Sequence, residues 1–169
     1  MQNDENKIVL ILNDIRSVEN VGSIFRTADA ASVSKIYLSG YTPSPIDRFG
    51  RKRRDIAKVS LGAEETVSWE QAVDIFPLIQ MLKKERYMIV AVEQDARSIP
   101  YTDISKQEKI AFVFGNEVGG ISSDILDACD RIAEIPMHGK KESLNVAVAA
   151  GVVLFRYKET ADSPKTQRV

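Results

Sequence analysis

Short apolar runs recur along the chain at intervals that suit strands. Residues 7–12 (KIVLIL) are almost continuously apolar, rich in β-branched side chains and flanked by polar ones. A strand buried on both faces reads this way, because each face of its pleat needs apolar cover. The runs at 35–39, 65–69, 87–92, 109–114 and 131–136 repeat the theme. Between them, apolar positions at helical spacing predict helices over 20–31, 69–85, 121–129 and 143–158. Strands alternating with helices imply an α/β domain built on a mostly parallel sheet with helices on both faces.

At 169 residues the length suits one domain. Residues 1–158 are expected to form it, and the polar stretch 159–169 (ETADSPKTQRV) to fray. Segment 40–50 (GYTPSPIDRFG) reads as a surface loop. The last predicted helix differs from the others: from Leu144 to Tyr157 (LNVAVAAGVVLFRY) it has almost no polar face. A helix that is apolar all round is buried on all sides. In a domain of this size that favours one side against the sheet and another against a second subunit, with burial inside a single monomer as the alternative.

Composition removes several chemistries. The hydrophobic fraction of 44% and charged fraction of 28% are ordinary for a globular protein. No apolar run approaches the roughly 20 residues that a membrane span requires. The start, MQNDENKIVLILND, lacks the basic opening and longer apolar stretch of a secretory signal, so the chain reads as cytoplasmic. Cys129 is the single cysteine, which excludes an intramolecular disulfide. His138 is the single histidine and lies in a glycine- and lysine-rich loop. One chain therefore cannot assemble a Cys/His metal site, and no metal is expected.

The net charge of −1 argues weakly against a nucleic-acid partner, but its distribution is uneven. Between Ile46 and Lys58, six basic residues (Arg48, Arg51, Lys52, Arg53, Arg54 and Lys58) face two aspartates, a local charge of +4. Such a cluster is either a solvated basic loop or a phosphate-binding surface.

Three clusters of small and polar residues follow apolar runs, where α/β proteins place their sites. In the first, Asn13 to Ala30, Asn20 stands at the expected helix cap and Gly22 admits a close backbone approach. Arg26 lies among Ile24, Phe25, Ala28 and Ala30, so it either pairs with an internal carboxylate or faces a ligand. In the second, Phe112 to Ser122 (FVFGNEVGGIS), a strand runs into Gly115, Asn116, Glu117 and Gly119–Gly120. That loop lacks both the Lys-Ser/Thr of a P-loop and the spacing of a dinucleotide fingerprint. In the third, Ile135 to Ala149, Ser143 is placed to cap the last helix, and Asn145 sits in its first turn, where an amide suggests a hydrogen-bonding task.

Together the patterns N-x-G-x-[IA]-x-R, FG-x-E-x-x-G and IPM…S-L-N-V-A-x-A resemble the three signature motifs of the SpoU–TrmH branch of the SPOUT methyltransferases. The resemblance spans residues 7–157 in the family's order. It implies a C-terminal deep trefoil knot and S-adenosylmethionine as cofactor, held by segments 91–93, 115–120 and 135–145. Motif matching assigns Val92, Gly115, Ile135, Met137, Ser143 and Leu144 to that pocket. The implied reaction is methylation of an RNA ribose 2'-hydroxyl by a homodimer joined through its first and last helices. With no appended domain before its first strand, the chain resembles the short members that act on tRNA more often than rRNA.

The resemblance also gives Arg26 the central catalytic place. An arginine, with a pKa above about 12, suits a phosphate and a developing alkoxide better than it suits a proton. Glu117 and Asn20 would orient it, and Ser143 and Asn145 would complete the polar wall. A non-catalytic RNA-binding module, a base rather than ribose methyltransferase, and a nucleotide-binding enzyme using the glycine loop are the alternatives.

Overall fold

The computed structural model describes residues 7–162. Seven strands form one sheet: β1 (Lys7–Asn13), β2 (Lys35–Ser39), β3 (Trp69–Ala72), β4 (Met88–Val92), β5 (Ile99–Pro100), β6 (Lys109–Phe114) and β7 (Arg131–Glu134). Their order is β3-β2-β1-β6-β4-β7-β5, and every pairing is parallel. The helices are α1 (Val18–Ala30), α2 (Arg54–Ser60), α3 (Ala63–Thr66), α4 (Ile75–Lys84), α5 (Ser123–Ala128) and α6 (Val146–Asp162).

The apolar runs are continuous because both sheet faces are covered. On β1, Ile8, Leu10 and Leu12 pack with Phe25 of α1 and Leu154 of α6, while Val9 and Ile11 pack with Ile79 of α4 and Ile125 of α5. β6 divides its side chains the same way, Phe112 and Phe114 to one core, Ala111 and Val113 to the other. Each fully buried Leu, Ile or Phe contributes about 1.5–3 kcal/mol, so the two cores supply the main drive to fold.

Several boundaries differ from expectation for local reasons. The strand expected at 65–69 is the short helix α3 followed by β3. Leu61 and Gly62, both with positive φ, end α2 and restart the chain as helix. β3 is a sheet edge, so its Glu70 and Gln71 remain exposed and the apolar signal is weak. The helix expected from 69 starts instead at Ile75, where the Asp74 carboxylate accepts from Phe76 N at 3.0 Å. α2 has no counterpart among the expected helices: inside its basic segment only Ile56 and Ser60 are buried. α6 continues to Asp162, four residues into the stretch 159–169; the rest of that stretch lies outside the described residues.

Both capping expectations move by a few residues. Ser17, not Asn20, caps α1, its Oγ accepting from Asn20 N at 3.1 Å. Asn145, not Ser143, caps α6, with Oδ1 accepting from Ala147 N at 2.9 Å and Val148 N at 3.3 Å. Within one protomer α6 buries Ala150, Val153, Leu154 and Tyr157, yet leaves Val148 52% and Phe155 48% exposed. Positions 148, 152 and 155 recur at helical spacing, so the uncovered residues form one apolar stripe. Among the described residues no helix is long and apolar enough to cross a membrane.

The sheet order has one unusual consequence. β7 lies between β4 and β5, two strands joined by the loop 93–98.

Gly22 has the role its smallness suggested. A Cβ there would lie 2.8 Å from Val59 Cβ and 3.1 Å from Ile56 O, so α1 and α2 meet at this point. Overpacking costs about 1–3 kcal/mol, against which alanine regains about 1 kcal/mol of helix propensity. Gly22→Ala is therefore expected to destabilise by about 1 kcal/mol, lowering the thermal midpoint by roughly 2–4 °C. An unchanged or raised midpoint in a thermal melt would show that α2 yields freely.

Candidate active site

A cavity of about 790 Å³ opens where four parallel strands end. Parallel strands send their carboxyl ends to one edge of a sheet, so the loops that follow converge there. β4 contributes Val92, Glu93 and Gln94; β6 contributes residues 115–118 and Gly120; β7 contributes Glu134, Ile135 and Met137. Ser143, Leu144 and Asn145 come from the approach to α6, and Arg16, Ser17 and Asn20 from the approach to α1. The volume lies within the range of about 300–1,000 Å³ usual for small-molecule sites.

Glu117 organises one wall. Its Oε2 accepts from Arg16 N at 2.9 Å, and its Oε1 accepts from Ser17 N at 2.9 Å and Asn20 Nδ2 at 3.0 Å. The Asn20 amide then passes the connection on, its Oδ1 accepting from Asn145 Nδ2 at 2.9 Å. Partial burial pushes the Glu117 carboxyl upward, but the N–H groups of Arg16, Asn20 and Ser17 outweigh it and hold the pKa below the ordinary glutamate value. An anion so well satisfied is a weak proton acceptor.

The glycine loop is shaped by its own close contacts. A Cβ on Gly115 would lie 2.6 Å from Gly120 O and 2.5 Å from Ile121 Cγ1, because the chain folds back in an Asn116–Gly120 bridge. Gly120 has φ 64°, and a Cβ there would strike Glu93 Oε2. Glu93 holds the returning strand, its Oε2 accepting from Ile121 N at 3.1 Å. Asn116 Oδ1 accepts from Val118 N at 2.9 Å and Gly119 N at 2.7 Å, closing the tip. The loop is a rigid cradle whose glycines are demanded first by its own backbone.

Of the residues singled out in the sequence, Asn20, Val92, Gly115, Glu117, Ile135, Met137, Ser143, Leu144 and Asn145 all line this cavity. Arg26 does not. It is exposed on α1, away from the cavity wall, with no carboxylate partner among the described residues. Of the apolar neighbours that make it conspicuous, Ile24, Phe25 and Ala28 face the core, whereas Arg26 and Ala30 are exposed. Within the protomer Glu117 and Asn20 bind Arg16, Ser17 and Asn145, and neither touches Arg26.

Sequence reasoning misses Arg16, Gln94 and Glu134, all on the wall, and covers Glu93 only as part of segment 91–93. Arg16 is the single cation lining the cavity among the described residues. Its signal is its position just beyond the first strand, in the turn before Asn20. Gln94 Nε2 donates to Glu142 O at 2.5 Å, joining the β4 loop to the approach to α6. Cys129 lies elsewhere, and burial pushes its thiol up to about 12, so it stays protonated.

The basic segment is outside the cavity and partly neutralised. Arg51 pairs with Asp47 at 2.9 Å, Arg53 with Asp55 at 2.6 Å, and Lys52 with Glu65. Arg48, Arg54 and Lys58 have no carboxylate partner among the described residues.

A sequence model of the SpoU rRNA methylase family matches residues 7–155. The 23S rRNA (guanosine-2'-O-)-methyltransferase RlmB of Xylella fastidiosa is 32% identical over 148 residues, covering 88% of this chain and 57% of its own length. RlmB of Coxiella burnetii is 30% identical over 157 residues, 93% of this chain and 60% of its own length. The crystal structure of an AdoMet-bound rRNA methyltransferase from Sinorhizobium meliloti matches with a TM-score of 0.84 at 28% identity, covering 94% of this chain and 58% of that one. A structure concerned with 2-OH methylation of C/U34 on tRNA shares the fold at a TM-score of 0.76 and 22% identity, covering 92% of this chain and 97% of that one. The chain thus spans less than two thirds of the curated relatives' length. The family model covers nearly every described residue, and the matched span contains all three motifs that line the cavity. The chain belongs to the SpoU rRNA methylase family, the SpoU/TrmH branch of the SPOUT methyltransferases.

Proposed function

We propose that this protein transfers a methyl group from S-adenosylmethionine to a ribose 2'-hydroxyl of RNA. The observation that carries the reading is the cavity itself. One wall is a backbone cradle with apolar side chains (Val92, Ile135, Met137, Leu144), and the other is the hydrogen-bonded set Asn20–Glu117–Asn145. The cradle fits the cofactor in size and chemistry: Gly115 and Gly120 leave backbone groups unscreened, and the Glu93 and Glu134 carboxylates suit a cationic ligand. When bound, the cofactor supplies the electrophilic methyl group. A trefoil knot is part of the same reading, supported by β7 lying between two strands already joined by a short loop.

The residues of this chain align and stabilise. Correct alignment of reactants can supply about 7–11 kcal/mol of the barrier. Asn20, Ser143 and Asn145 position the ribose, and Glu117 fixes Asn20. Arg16 offers a cation to the substrate phosphate from within the same cavity. Arg26 lies outside its own protomer's cavity but on α1, which packs against α6 through Thr27 and Gly151. We place it across a homodimer interface formed by α1 and α6, each Arg26 serving the other protomer's site. The proton of the hydroxyl leaves to water, Glu117 being too weak a base.

The deciding experiment is nucleoside mass spectrometry after incubating the protein with S-adenosylmethionine and either tRNA or rRNA, tRNA first. A 2'-O-methylated ribonucleoside is expected; a base-methylated product would overturn the ribose assignment. Calorimetry with S-adenosylhomocysteine should find one site per chain. Arg26→Ala should keep that binding and the thermal midpoint while methyl transfer falls by about 10²–10³. Activity retained in Arg26→Ala would remove it from the catalytic set.

The exposed stripe of α6 makes the dimer testable. Phe155→Glu places a charge within it and should yield monomers in sedimentation, with methyl transfer lost because Arg26 no longer reaches a second cavity. A native protein that sediments as a monomer at low micromolar concentration is the contrary result.

Arg48, Arg54 and Lys58 are the basic residues best placed to bind phosphates, with Arg51, Lys52 and Arg53 partly compensated by their acidic neighbours. Removing a cation that touches one phosphate should reduce the slope of log affinity against log salt by about 0.7–0.9. Arg54→Gln with Lys58→Gln should therefore flatten the slope more than Lys52→Gln with Arg53→Gln. Equal slopes in both double variants would leave the segment a solvated loop.

A further inference from the structure

A second cavity, of about 510 Å³, opens beside the first and has no part in the chemistry above. Most of its wall comes from the connection between β2 and α2, with Gln71 of β3 closing one side. Two aromatic rings stand out into solvent there, Tyr41 at 61% exposure and Phe49 at 66%.

Asp47 is the anchor. Its Oδ1 accepts from Phe49 N at 2.8 Å and Arg51 N at 3.0 Å, and its Oδ2 accepts from Arg51 Nε at 2.9 Å. Its own N–H donates to Arg51 O at 2.8 Å, and its carbonyl accepts from Gly50 N at 2.9 Å. Gly50 turns the chain with φ 78°, in open space, so its conformation and not its size demands glycine. The tip so formed sets two cations against Phe49, with Arg48 Cζ at 4.7 Å and Arg51 Cζ at 5.0 Å from the ring centroid, and leaves the ring 66% exposed.

Tyr41 links this tip to the methyl-transfer cavity. Its N–H donates to Asp14 Oδ1 at 3.2 Å, and its hydroxyl accepts from Asn116 Nδ2 at 3.0 Å. Asn116 lines the first cavity and Tyr41 the second, so this hydrogen bond joins the two linings. A ligand for this place must match exposed rings and guanidinium groups together. An inorganic anion would leave the rings uncovered, and an apolar peptide would leave the cations unmatched. Nucleobases stack on aromatic rings and on guanidinium planes alike, and their phosphates satisfy the charge. Stacking within a duplex covers those faces, so the base must come from an unstacked, single-stranded segment.

We propose that this second cavity is a nucleobase subsite, which takes a single-stranded base flanking the methylated nucleotide and stacks it on the Phe49–Arg48 assembly. The inference rests on the RNA-methylation reading above and adds how the RNA is presented: as an unpaired loop, with one nucleotide stacked next to the one that reacts. Arg48 supplies both a stacking plane and a phosphate contact, whereas Phe49 supplies stacking alone.

Binding of a fluorescein-labelled oligouridylate 12-mer, followed by anisotropy over a salt series, tests this. Phe49→Ala and Phe49→Leu should weaken binding by about 5- to 150-fold, the effect of losing one base–aromatic stack. Phe49→Tyr should restore it, and the salt slope should stay that of the wild type in all three. Arg48→Gln should lower the slope by about 0.7. A Phe49→Ala affinity within twofold of wild type overturns the subsite, as does a loss shared by Phe49→Tyr or accompanied by an equal fall in slope. No measurable binding by the wild-type protein overturns it too. Nucleoside mass spectrometry separates the two readings. Phe49-dependent binding without any methylated ribose sinks the reaction and keeps the subsite. Methylated ribose with unchanged RNA affinity and KM in Phe49→Ala sinks the subsite and keeps the reaction.

Discussion

A single carboxylate, that of Glu117, gathers the ends of the cavity. It accepts the backbone N–H groups of Arg16 and Ser17 and the side-chain amide of Asn20, and thereby docks the loop after β6 onto the entry to α1. Asn20 carries the connection on to Asn145, which caps α6. Three segments far apart in the chain are fixed through two amides and one anion. Charge-assisted hydrogen bonds of this kind are roughly twice as strong as neutral ones, and they fix direction as well as distance. Remove the carboxylate and α1, the glycine loop and α6 lose their common reference.

This constraint also divides labour within the site. Groups that are hydrogen-bonded to one another hold their geometry, but they have little capacity left for a reacting proton. The depressed pKa of Glu117 follows from the same N–H donors that make it a good anchor. Arg16, the single cation on the wall among the described residues, is not part of that hydrogen-bonded set through its side chain. The arginine most prominent in the sequence, Arg26, faces away from its own cavity, which moves the question of its role to the level of the assembly.

Much of this is legible in residue order. The strands on which both faces are buried announce themselves as unbroken apolar runs, and the three polar clusters converge because parallel strands end together. The failures share a cause: information carried by tertiary contact. Asn20 and Ser143 look like caps because they have cap chemistry, yet Ser17 and Asn145 hold those posts. β3 and α2 lie at the periphery, where few apolar residues report the fold. Arg26 stands out by its neighbours in the chain, and helical geometry puts most of those neighbours on the other side. Glu93 falls in a segment assigned to the pocket, but its task, holding the loop that returns past Gly120, is a tertiary contact that residue order does not announce.

The place of β7 in the sheet sets the order in which the protein can be completed. Among the described residues β5 pairs with β7 alone, and β7 comes well after it in the chain. Until residues 131–134 slot in beside β4, the loop 93–98 has nothing to close against, and Gln94 cannot reach Glu142. Such non-local closure is slow to find, because the entropy of ordering the loop is lost before the contacts form. A chain emerging from the ribosome thus carries β1, β2, β4 and β6 as a partial sheet, with the cofactor wall absent until its final third arrives. Completion of the cavity and completion of the fold become one late event, so a truncated or half-folded copy has no cradle at all.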